Sequence, residues 1–459
     1  MRTRFCPTYL MLPCAWIAGT VLLAVSARAQ APDTLQTSAA GAGERIAGNA
    51  RTALLDQRAL RGAHVGVCVY DPATRQYLYT HAADRYFTPA SNTKLYTFYT
   101  GLSYLGDSTT GIQYRVENDT LYIRGTGDPS FLHPDFPRQP AFEFLRRTKL
   151  PIVMVNPPYE NKIFGPGWSW EDYNEDYQPE RSAFPIYGNV AWFTVKNHRI
   201  QVMPRYFAHQ RHLVRATRMK TRSFYVHRSA KENLFRYNLH VTNDSDPQQV
   251  PFVTRKGETA AKLLADTLHK PVRFEPRRRL SPGGWLTVHN VPVDSLFRHM
   301  MYRSDNFYAE QTDQMTSMKL FDTISTQRTI DYMLAGALKD LPDTPTWVDG
   351  SGLSRFNLFS PRDMVSILDR LYQGFSPARI DSMLPTGGEG TLTSLYHDIS
   401  GSIFAKTGSL SHEVSLSGYL ITRGGRTLLF SILINQCVYP LSAARLAMQN
   451  FLHTVWEDN

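Results

Sequence analysis

Cysteine and long apolar runs are both scarce in this chain of 459 residues. Of its four cysteines, two lie within the first 29 residues, so Cys68 and Cys437 allow at most one disulfide bond. Both lie in apolar, strand-like runs, and two buried free thiols are an equal alternative to that disulfide. After residue 29 no stretch is long and apolar enough to be a transmembrane helix, which argues against a membrane-spanning protein.

Two common catalytic signatures are also missing. The sequence contains no Gly-x-Ser-x-Gly elbow and no His-Glu-x-x-His helix, so lipase-type and zinc-protease chemistry are excluded. His209 and His212 share a helical spacing but have no acidic neighbour, and we predict no metal site and no cofactor.

The N-terminus has the pattern of a signal peptide. Arg2 and Arg4 precede an apolar run between Leu10 and Val25, and Ala27-Arg28-Ala29 offers the small residues of a cleavage site. We therefore expect residues 1–29 to be removed and the protein to be periplasmic. The residues before Cys14 are a poor lipoprotein signal, so we expect no stable membrane anchor.

The remaining chain reads as one domain interrupted by another. A strand pattern at 64–70 near the start and strand patterns at 403–406, 414–421 and 427–435 near the end suggest one split domain. The sequence between the two parts of this domain is rich in strand and loop patterns. We predict that residues 30–112 and 247–459 form the split domain and that 113–246 form a β-rich insert.

Acidic residues are absent from one stretch of the insert. Residues 196–231 contain ten lysines and arginines and no Asp or Glu, within a chain of formal net charge +10. Such a run is a solvated face or a contact face for an anionic polymer. A nucleic-acid partner is not expected, because no recognisable binding module is present.

Ser91 and Lys94 form a Ser-x-x-Lys pair at the start of a helical pattern that contains Leu95, Phe98 and Leu102. Positions i and i+3 share a helix face, so the lysine amine can reach the serine hydroxyl. A serine is a poor nucleophile until a base takes its proton, and a desolvated lysine can be that base. The pair alone is a weak signal, because both residue types are common.

Two further motifs lie far downstream, Ser304-Asp305-Asn306 and Lys406-Thr407-Gly408. With Ser-x-x-Lys, and in this order, they form the signature of penicillin-interacting serine enzymes. The 213 residues between Ser91 and Ser304 exceed what a compact β-lactamase needs. With the segments 348–355 and 384–392, the chain closely resembles the class C low-molecular-mass penicillin-binding proteins, which are D-alanyl-D-alanine carboxypeptidases and endopeptidases of peptidoglycan.

This resemblance runs from about Val65 to the C-terminus and is weakest across residues 130–245. It implies a mixed α and β, multidomain protein in which a five-stranded antiparallel sheet is flanked by helices and interrupted by the insert. The split domain then corresponds to a DD-peptidase domain of the serine DD-peptidase/β-lactamase type. The implied partners are peptidoglycan stem peptides as substrates and β-lactam antibiotics as inhibitors.

The resemblance also implies roles for the first two motifs. Ser91 attacks the carbonyl of the penultimate D-alanine and forms an acyl-enzyme. Lys94 accepts the hydroxyl proton, although the identity of the base in such enzymes is disputed. Ser304 relays a proton to the leaving amine, and Asn306 holds the substrate amide.

The third motif is expected to bind the end of the substrate. Lys406 supplies positive charge beside the terminal carboxylate, and Thr407 supplies a hydroxyl. Gly408 lets the strand approach the substrate closely. The backbone N–H groups of Ser91 and Ser409 form the oxyanion hole, again by resemblance.

Two more residues bear on substrates that contain diaminopimelate, whose side chain carries an amine and a carboxylate. By resemblance, Asp172 in the Trp-rich segment is expected to bind the amine, and Arg355 after Ser-Gly-Leu-Ser is expected to bind the carboxylate. For each, a structural ion pair is the alternative, and Glu171 and Asp176 compete with Asp172 for the role.

Other functions share these motifs. A β-lactamase or esterase is one alternative, and the long insert argues against it. A penicillin sensor or scaffold that is acylated but turns over little is another. Release of D-alanine from a stem pentapeptide separates them from the peptidase.

Overall fold

A computed structural model describes residues 33–216, 223–238 and 246–459, so the predicted signal peptide lies outside the described residues. Its helices are α1 (Asp33–Asn49), α2 (Lys94–Tyr104), α3 (Pro140–Arg147), α4 (Glu258–Leu268), α5 (Val293–Tyr302), α6 (Asn306–Phe321), α7 (Thr326–Ala335), α8 (Pro361–Gly374), α9 (Pro377–Met383) and α10 (Leu441–Asp458).

The strands of the described residues pair into four sheets. In chain order they are β1 (His64–Asp71), β2 (Gln76–His81), β3 (Ser108–Glu117), β4 (Thr120–Gly125), β5 (Ile152–Val155), β6 (Val190–Lys196), β7 (Arg199–Met203), β8 (Leu213–Arg215), β9 (Val226–Arg228), β10 (Phe235–Tyr237), β11 (Gln248–Pro251), β12 (Val272–Phe274), β13 (Leu286–Pro292), β14 (Ile403–Leu410), β15 (Glu413–Ile421) and β16 (Thr427–Asn435).

One five-stranded antiparallel sheet joins the two ends of the chain, in the order β14-β15-β16-β1-β2. Helices cover both faces, with α8 against β1 and β16 on one side and α10 against β15 on the other. Because both faces are covered, β15 and β16 are buried along nearly their whole length instead of alternating. The predicted antiparallel sheet flanked by helices is confirmed.

The two cysteines lie on opposite sides of this sheet. Cys68 on β1 packs into the core beneath α8, whereas Cys437, just after β16, packs into the core beneath α10. Both are buried free thiols, which decides between the two alternatives that the sequence left open.

The strand pairings favour a larger insert than 113–246. A second five-stranded sheet has the order β12-β5-β4-β3-β13, and α4 packs in its core through Leu263 and Leu264. The boundary expected between 246 and 247 therefore divides a sheet and its helix, since β12 and β13 pair with β5 and β3. An apolar helix face indicates burial without indicating which sheet it packs against. We propose 108–292 as the insert.

The predicted basic face within the insert is interrupted by a buried arginine. Arg228 is fully buried, and its guanidinium donates hydrogen bonds to the carbonyl oxygens of Pro251 (2.6 Å) and Ser229 (2.7 Å). It also lies over the ring of Tyr173. This arginine ties the middle of the insert to the Trp-rich segment, so neither a solvated face nor a polymer-contact face describes the whole run 196–231.

Helix α6 lies at the centre of the split domain and is buried from Phe307 to Met318 on all sides. Asp305 caps it by accepting the backbone N–H of Tyr308 (2.9 Å). Helix α2 packs closely against α6, and a Cβ on Gly101 would lie 2.8 Å from Thr312 Cγ2. This close approach brings the N-terminal ends of α2 and α6, with Lys94 and Asn306, together.

Candidate active site

Ser91 lies in a 3₁₀ turn, Ala90–Thr93, that leads directly into α2. Lys94 Nζ is 2.9 Å from Ser91 Oγ, so the predicted contact between the two side chains is present even though Ser91 precedes the α-helix. The same Nζ is 2.7 Å from Asn306 Oδ1 and 2.6 Å from the carbonyl oxygen of Ser351. A neutral amine has two N–H donors and one lone pair. The two fixed acceptors therefore leave the lone pair of Lys94 for the Ser91 hydroxyl.

Burial lowers the pKa of Lys94 from 10.5 to about 8, although Asp349, Asp305 and Glu310 oppose this shift. At pH 7 roughly a tenth of the molecules then carry a neutral amine, as general-base chemistry requires. A lysine with its ordinary pKa would be almost entirely protonated at this pH. The burial of Lys94 is therefore what makes it a usable base.

A second Ser–Lys pair faces the first. Lys406 Nζ donates to Ser304 Oγ (2.9 Å) and to the carbonyl oxygen of Thr407 (2.7 Å). Burial, with a contribution from the charge on nearby Lys94, holds the pKa of Lys406 well below its ordinary value. The lysine expected to hold positive charge beside a carboxylate is thus buried and directed at Ser304.

The loop that presents Ser304 is strained and clamped. Ser304 has a φ of +58°, a left-handed conformation that residues other than glycine rarely adopt. Next to it, Arg303 makes a two-pronged ion pair with Asp135 of the insert, with Nη1 2.9 Å from Oδ1. Tyr308 also donates a hydrogen bond to Asp135 (2.7 Å). Burial alone would raise the pKa of the Asp135 carboxyl, but the hydrogen bonds and charge of Arg303 lower it to about 2. The insert thereby holds the Ser304 loop in place.

The turn at Ser91 is fixed against strand β14. Asn92 Nδ2 donates to the carbonyl oxygen of Lys406 (2.9 Å), and Ser415 Oγ donates to that of Pro89 (2.7 Å). A Cβ on Gly408 would lie 3.0 Å from the backbone nitrogen of Ser91. Only glycine therefore allows this strand to lie so close to the nucleophile.

Strand β14 is the edge of its sheet, so one side of its backbone faces the cleft instead of another strand at the motif. A cavity of about 530 Å³ adjoins it, and Ser91, Ser304, Thr407 and Ser409 all line this cavity. The other walls are the loop 390–396 and one stripe of α10. An extended peptide can pair with such an edge, with its carbonyl near the serine.

A buried ionic network behind Lys94 was not found from the sequence. Glu310, on α6, accepts the backbone N–H of Ser351 (2.8 Å), whose carbonyl oxygen accepts from Lys94. Arg181 of the insert pairs with the same carboxylate at 3.1 Å, and both side chains are almost fully buried. The available signal was an acidic residue one helical turn after Asn306, in a helix with no exposed face.

Asp349 fixes the loop that carries Ser351. Its carboxylate accepts the backbone N–H groups of Gly352 (2.8 Å) and Ser354 (2.7 Å). It also accepts the indole N–H of Trp168, from the Trp-rich segment, at 2.9 Å. The segment 348–355 was recognised by resemblance, and this network gives it a physical role.

The two residues expected to read diaminopimelate have different surroundings. Arg355 Nη1 is 2.6 Å from Glu413 Oε1, and the arginine side chain is 47% exposed. This is the structural ion pair that was the alternative for Arg355. Asp172 is half-buried in a 3₁₀ turn, and the segment reaches the motif where Asn306 Nδ2 donates to the carbonyl oxygen of Tyr177 (3.0 Å). Neither Arg355 nor Asp172 lines the cavity at Ser91.

A serine bound to a buried lysine with a lowered pKa, facing a second Ser–Lys pair across a sheet edge, defines a serine acyl-transfer enzyme of the Ser-x-x-Lys type. A sequence model of the D-Ala-D-Ala carboxypeptidase 3 (S13) family matches residues 47–455. The chain belongs to this family. The resemblance inferred from the three motifs is thereby confirmed.

Individual relatives agree with the family. The chain is 25% identical over 434 residues to a D-alanyl-D-alanine carboxypeptidase of Actinomadura sp. (strain R39), covering 83% of this chain and 80% of that one. It is 28% identical over 163 residues to penicillin-sensitive carboxypeptidase A of Dictyostelium discoideum. That match covers 32% of this chain and 31%, or about a third, of the relative.

Solved structures share the fold. The crystal structure of penicillin binding protein 4 (dacB) from Haemophilus influenzae superposes with a TM-score of 0.70 at 16% identity, covering 90% of this chain and 99% of that one. The predatory endopeptidase Bd3459 of Bdellovibrio bacteriovorus, bound to an immunity protein, gives a TM-score of 0.52 at 14% identity, with 85% and 92% covered.

Proposed function

We propose that this protein is a serine-type D-alanyl-D-alanine peptidase that cleaves peptidoglycan stem peptides through an acyl-enzyme on Ser91. The observation that carries the proposal is the 2.9 Å contact between Ser91 Oγ and the Nζ of buried Lys94. Two other acceptors occupy the remaining directions of that amine. The family membership supports the same substrate bond.

The reaction follows from this arrangement. The stem peptide lies along the free edge of β14, and Ser91 Oγ attacks the carbonyl carbon of the penultimate D-alanine while Lys94 takes the hydroxyl proton. Backbone N–H groups of Ser91 and Ser409 stabilise the oxyanion. The C–N bond then breaks as Ser304, held by Lys406, relays to the leaving amine the proton that Lys94 took, so that Lys94 is neutral again. Water hydrolyses the acyl-enzyme and restores the serine.

The leaving group decides the type of peptidase. A free D-alanine makes the enzyme a carboxypeptidase, and a cross-linked D-amino centre of a second stem makes it an endopeptidase. Solved relatives include proteins described as endopeptidases as well as a penicillin-binding protein. The same acyl-enzyme serves both reactions, so both are included in the proposal.

Purified muropeptides test this function. The protein lacking residues 1–29 is incubated with pentapeptide monomers and with cross-linked dimers, and the products are identified by mass spectrometry. We expect loss of one alanine, cleavage of the cross-link, or both, and no product with Ser91→Ala. Intact mass after treatment with a penicillin should show one adduct, mapped to the peptide that contains Ser91.

The other functions give different results. A sensor or scaffold forms the penicillin adduct without turning over muropeptides. A β-lactamase regenerates free enzyme quickly and releases hydrolysed penicillin while the muropeptides stay intact. Either result, with folded protein, contradicts the proposed peptidase.

The place of action is also a proposal. In the described part of the chain no helix is long and apolar enough to cross a membrane. The signal pattern at 1–29 and the peptidoglycan substrate support export to the periplasm. Mass spectrometry of the protein from a periplasmic fraction should find a mature N-terminus at Gln30, and recovery of the uncleaved chain in the cytoplasm would contradict this.

A further inference from the structure

The substrate of a D-alanyl-D-alanine peptidase ends in a carboxylate, and that carboxylate needs a cation in the cleft. Lys406 is poorly suited to this task. Its side chain is fully buried, and its amine is occupied by Ser304 Oγ and the Thr407 carbonyl oxygen. Burial and the charge of Lys94 also hold the pKa of Lys406 far down, so its positive charge is disfavoured.

Arg445 provides another cation in the same cavity. It lies on α10 and lines the space that Ser91, Ser304, Thr407 and Ser409 also line. Its Nη2 donates a hydrogen bond to Ser409 Oγ at 2.7 Å. Helix α10, which carries this arginine, contains none of the three motifs.

The sequence of α10 explains why Arg445 points into the cavity. Ser442, Arg445 and Met448 recur every three residues and form the stripe of α10 that lines it. Met448 also belongs to the buried face of α10, with Ala444 and Phe451, so Arg445 lies at the edge of the face that packs on the sheet. The orientation of the arginine is thus fixed by the packing of the whole helix.

The charge of Arg445 is free to meet a ligand. In the described parts of the chain no carboxylate pairs with its guanidinium within 4.0 Å, whereas Arg355 is paired with Glu413. A guanidinium has five N–H donors, and the contact with Ser409 uses one of them. The remaining donors match the two oxygens of a carboxylate.

We propose that Arg445, oriented by Ser409, binds the terminal carboxylate of the substrate and determines the specificity for a free C-terminus. Thr407 and Ser409 contribute hydroxyl donors to the same carboxylate. This inference rests on the proposed function and assigns the cation of its substrate site. It predicts a preference for a D-Ala-D-Ala acid over the corresponding C-terminal amide.

The test compares two synthetic peptides, Nα,Nε-diacetyl-L-Lys-D-Ala-D-Ala and the same peptide with a C-terminal amide. The kcat/KM for cleavage of the terminal peptide bond is measured for the wild type, Arg445→Ala and Arg445→Gln. The glutamine variant keeps a donor for Ser409 but removes the charge. Arg423→Ala is the matched control, because Arg423 is exposed and follows the far end of β15, which lies about 23 Å along the strand from Val414, the partner of Ser409.

We expect the wild type to prefer the acid by about ten- to hundred-fold, which is the contribution of a charge-assisted pair. Both Arg445 variants should lose this factor on the acid and far less on the amide. Arg423→Ala should leave both peptides unchanged. The acid-to-amide ratio is measured on the wild type alone, so this part of the test does not depend on whether the variants fold. Circular dichroism checks the folding of each variant.

Four outcomes overturn the inference. Equal losses on both peptides would show that Arg445 only supports Ser409. Retention of the acid preference in folded Arg445→Gln would show that its charge is not used. If the wild type cleaves neither peptide and no muropeptide, the proposed function fails and this inference fails with it. Cleavage of muropeptides with no acid preference contradicts the inference alone.

Discussion

The pH dependence of acylation tests the central feature of the site, the lowered pKa of Lys94. The neutral amine is the form that accepts the proton of Ser91, and the pKa is about 8. The neutral fraction is therefore about 1% at pH 6, about 10% at pH 7 and about half at pH 8. The acylation rate should rise roughly tenfold per pH unit up to about pH 7.5 and level off above pH 9.

Stopped-flow measurement of acylation by a penicillin follows this directly, because the penicillin carboxylate stays ionised across the range. Lys94→Met should abolish acylation at every pH. Lys406→Met is the matched control, since it removes the other buried lysine. Acylation by this variant will be slower, but its rate should still rise with pH up to about pH 8. A flat profile between pH 6 and 8, or loss of the rise in Lys406→Met, refutes the assignment of Lys94 as base.

The same shift affects stability. Between pH 8 and 10.5 the unfolded chain holds a proton on Lys94 that the folded protein has released. The folded state binds fewer protons in this window, so the contribution of Lys94 makes the free energy of unfolding rise with pH. Urea unfolding at pH 7.5 and 9.5 should show a larger rise in the wild type than in Lys94→Met, where buried Lys406, whose pKa is also lowered, still contributes.

Three substitutions test other parts of the site. Gly408→Ala places a Cβ against Ser415 Oγ and 2.8 Å from the carbonyl oxygen of Pro89, so the turn that carries Ser91 must shift. Acylation should fall by about a hundredfold in stopped-flow assays, and the melting temperature should fall as well. Arg181→Met leaves Glu310 buried without its partner and should lower the free energy of unfolding by about 3–5 kcal/mol in urea titrations. Arg355→Ala leaves the buried carboxylate of Glu413 without its partner and should lower the free energy of unfolding by about 1–3 kcal/mol. If Arg355 also reads diaminopimelate, kcat/KM should fall about ten- to hundred-fold for stems bearing a free diaminopimelate carboxylate and stay unchanged for lysine stems.

Each of these has a contrary outcome. Unaltered acylation in Gly408→Ala would mean that the strand can move away from the nucleophile. The double variant Arg181→Met with Glu310→Gln should recover most of the lost stability, and a loss equal to that of the single variant would contradict the ion-pair explanation. If Arg355→Ala slows both kinds of stem equally, the arginine holds its loop against Glu413 and does not read the substrate.

Local sequence patterns were sufficient for several features. The i, i+3 spacing of Ser91 and Lys94 brought their side chains together, because neighbouring positions on one helical face are in contact in any fold. Strand patterns at both ends of the chain predicted strands that pair in one sheet, since each strand carries its own apolar run. The order of the three motifs indicated the family, which the match over residues 47–455 confirmed.

Other features depended on partners distant in sequence. We propose that the insert extends to β13 because that strand pairs with β3. No local pattern specifies which strand another strand will pair with. For Arg355 the sequence left a substrate contact and a structural ion pair open, and its contact with Glu413 is made to a strand 58 residues later.

The electrostatics of the site also came from the tertiary structure. The low pKa of Lys94 arises from burial between α2, α6 and the 348–355 loop, and burial is a property of the packed protein. Arg445 lies in an unremarkable amphipathic helix, and only the packing of α10 beside β14 brings its charge to the cleft. The sequence by itself determined the reacting groups and the motifs that hold them. The tertiary structure decided which of those groups are charged and which residues outside the motifs reach them, because both depend on solvent exclusion and on contacts between distant segments.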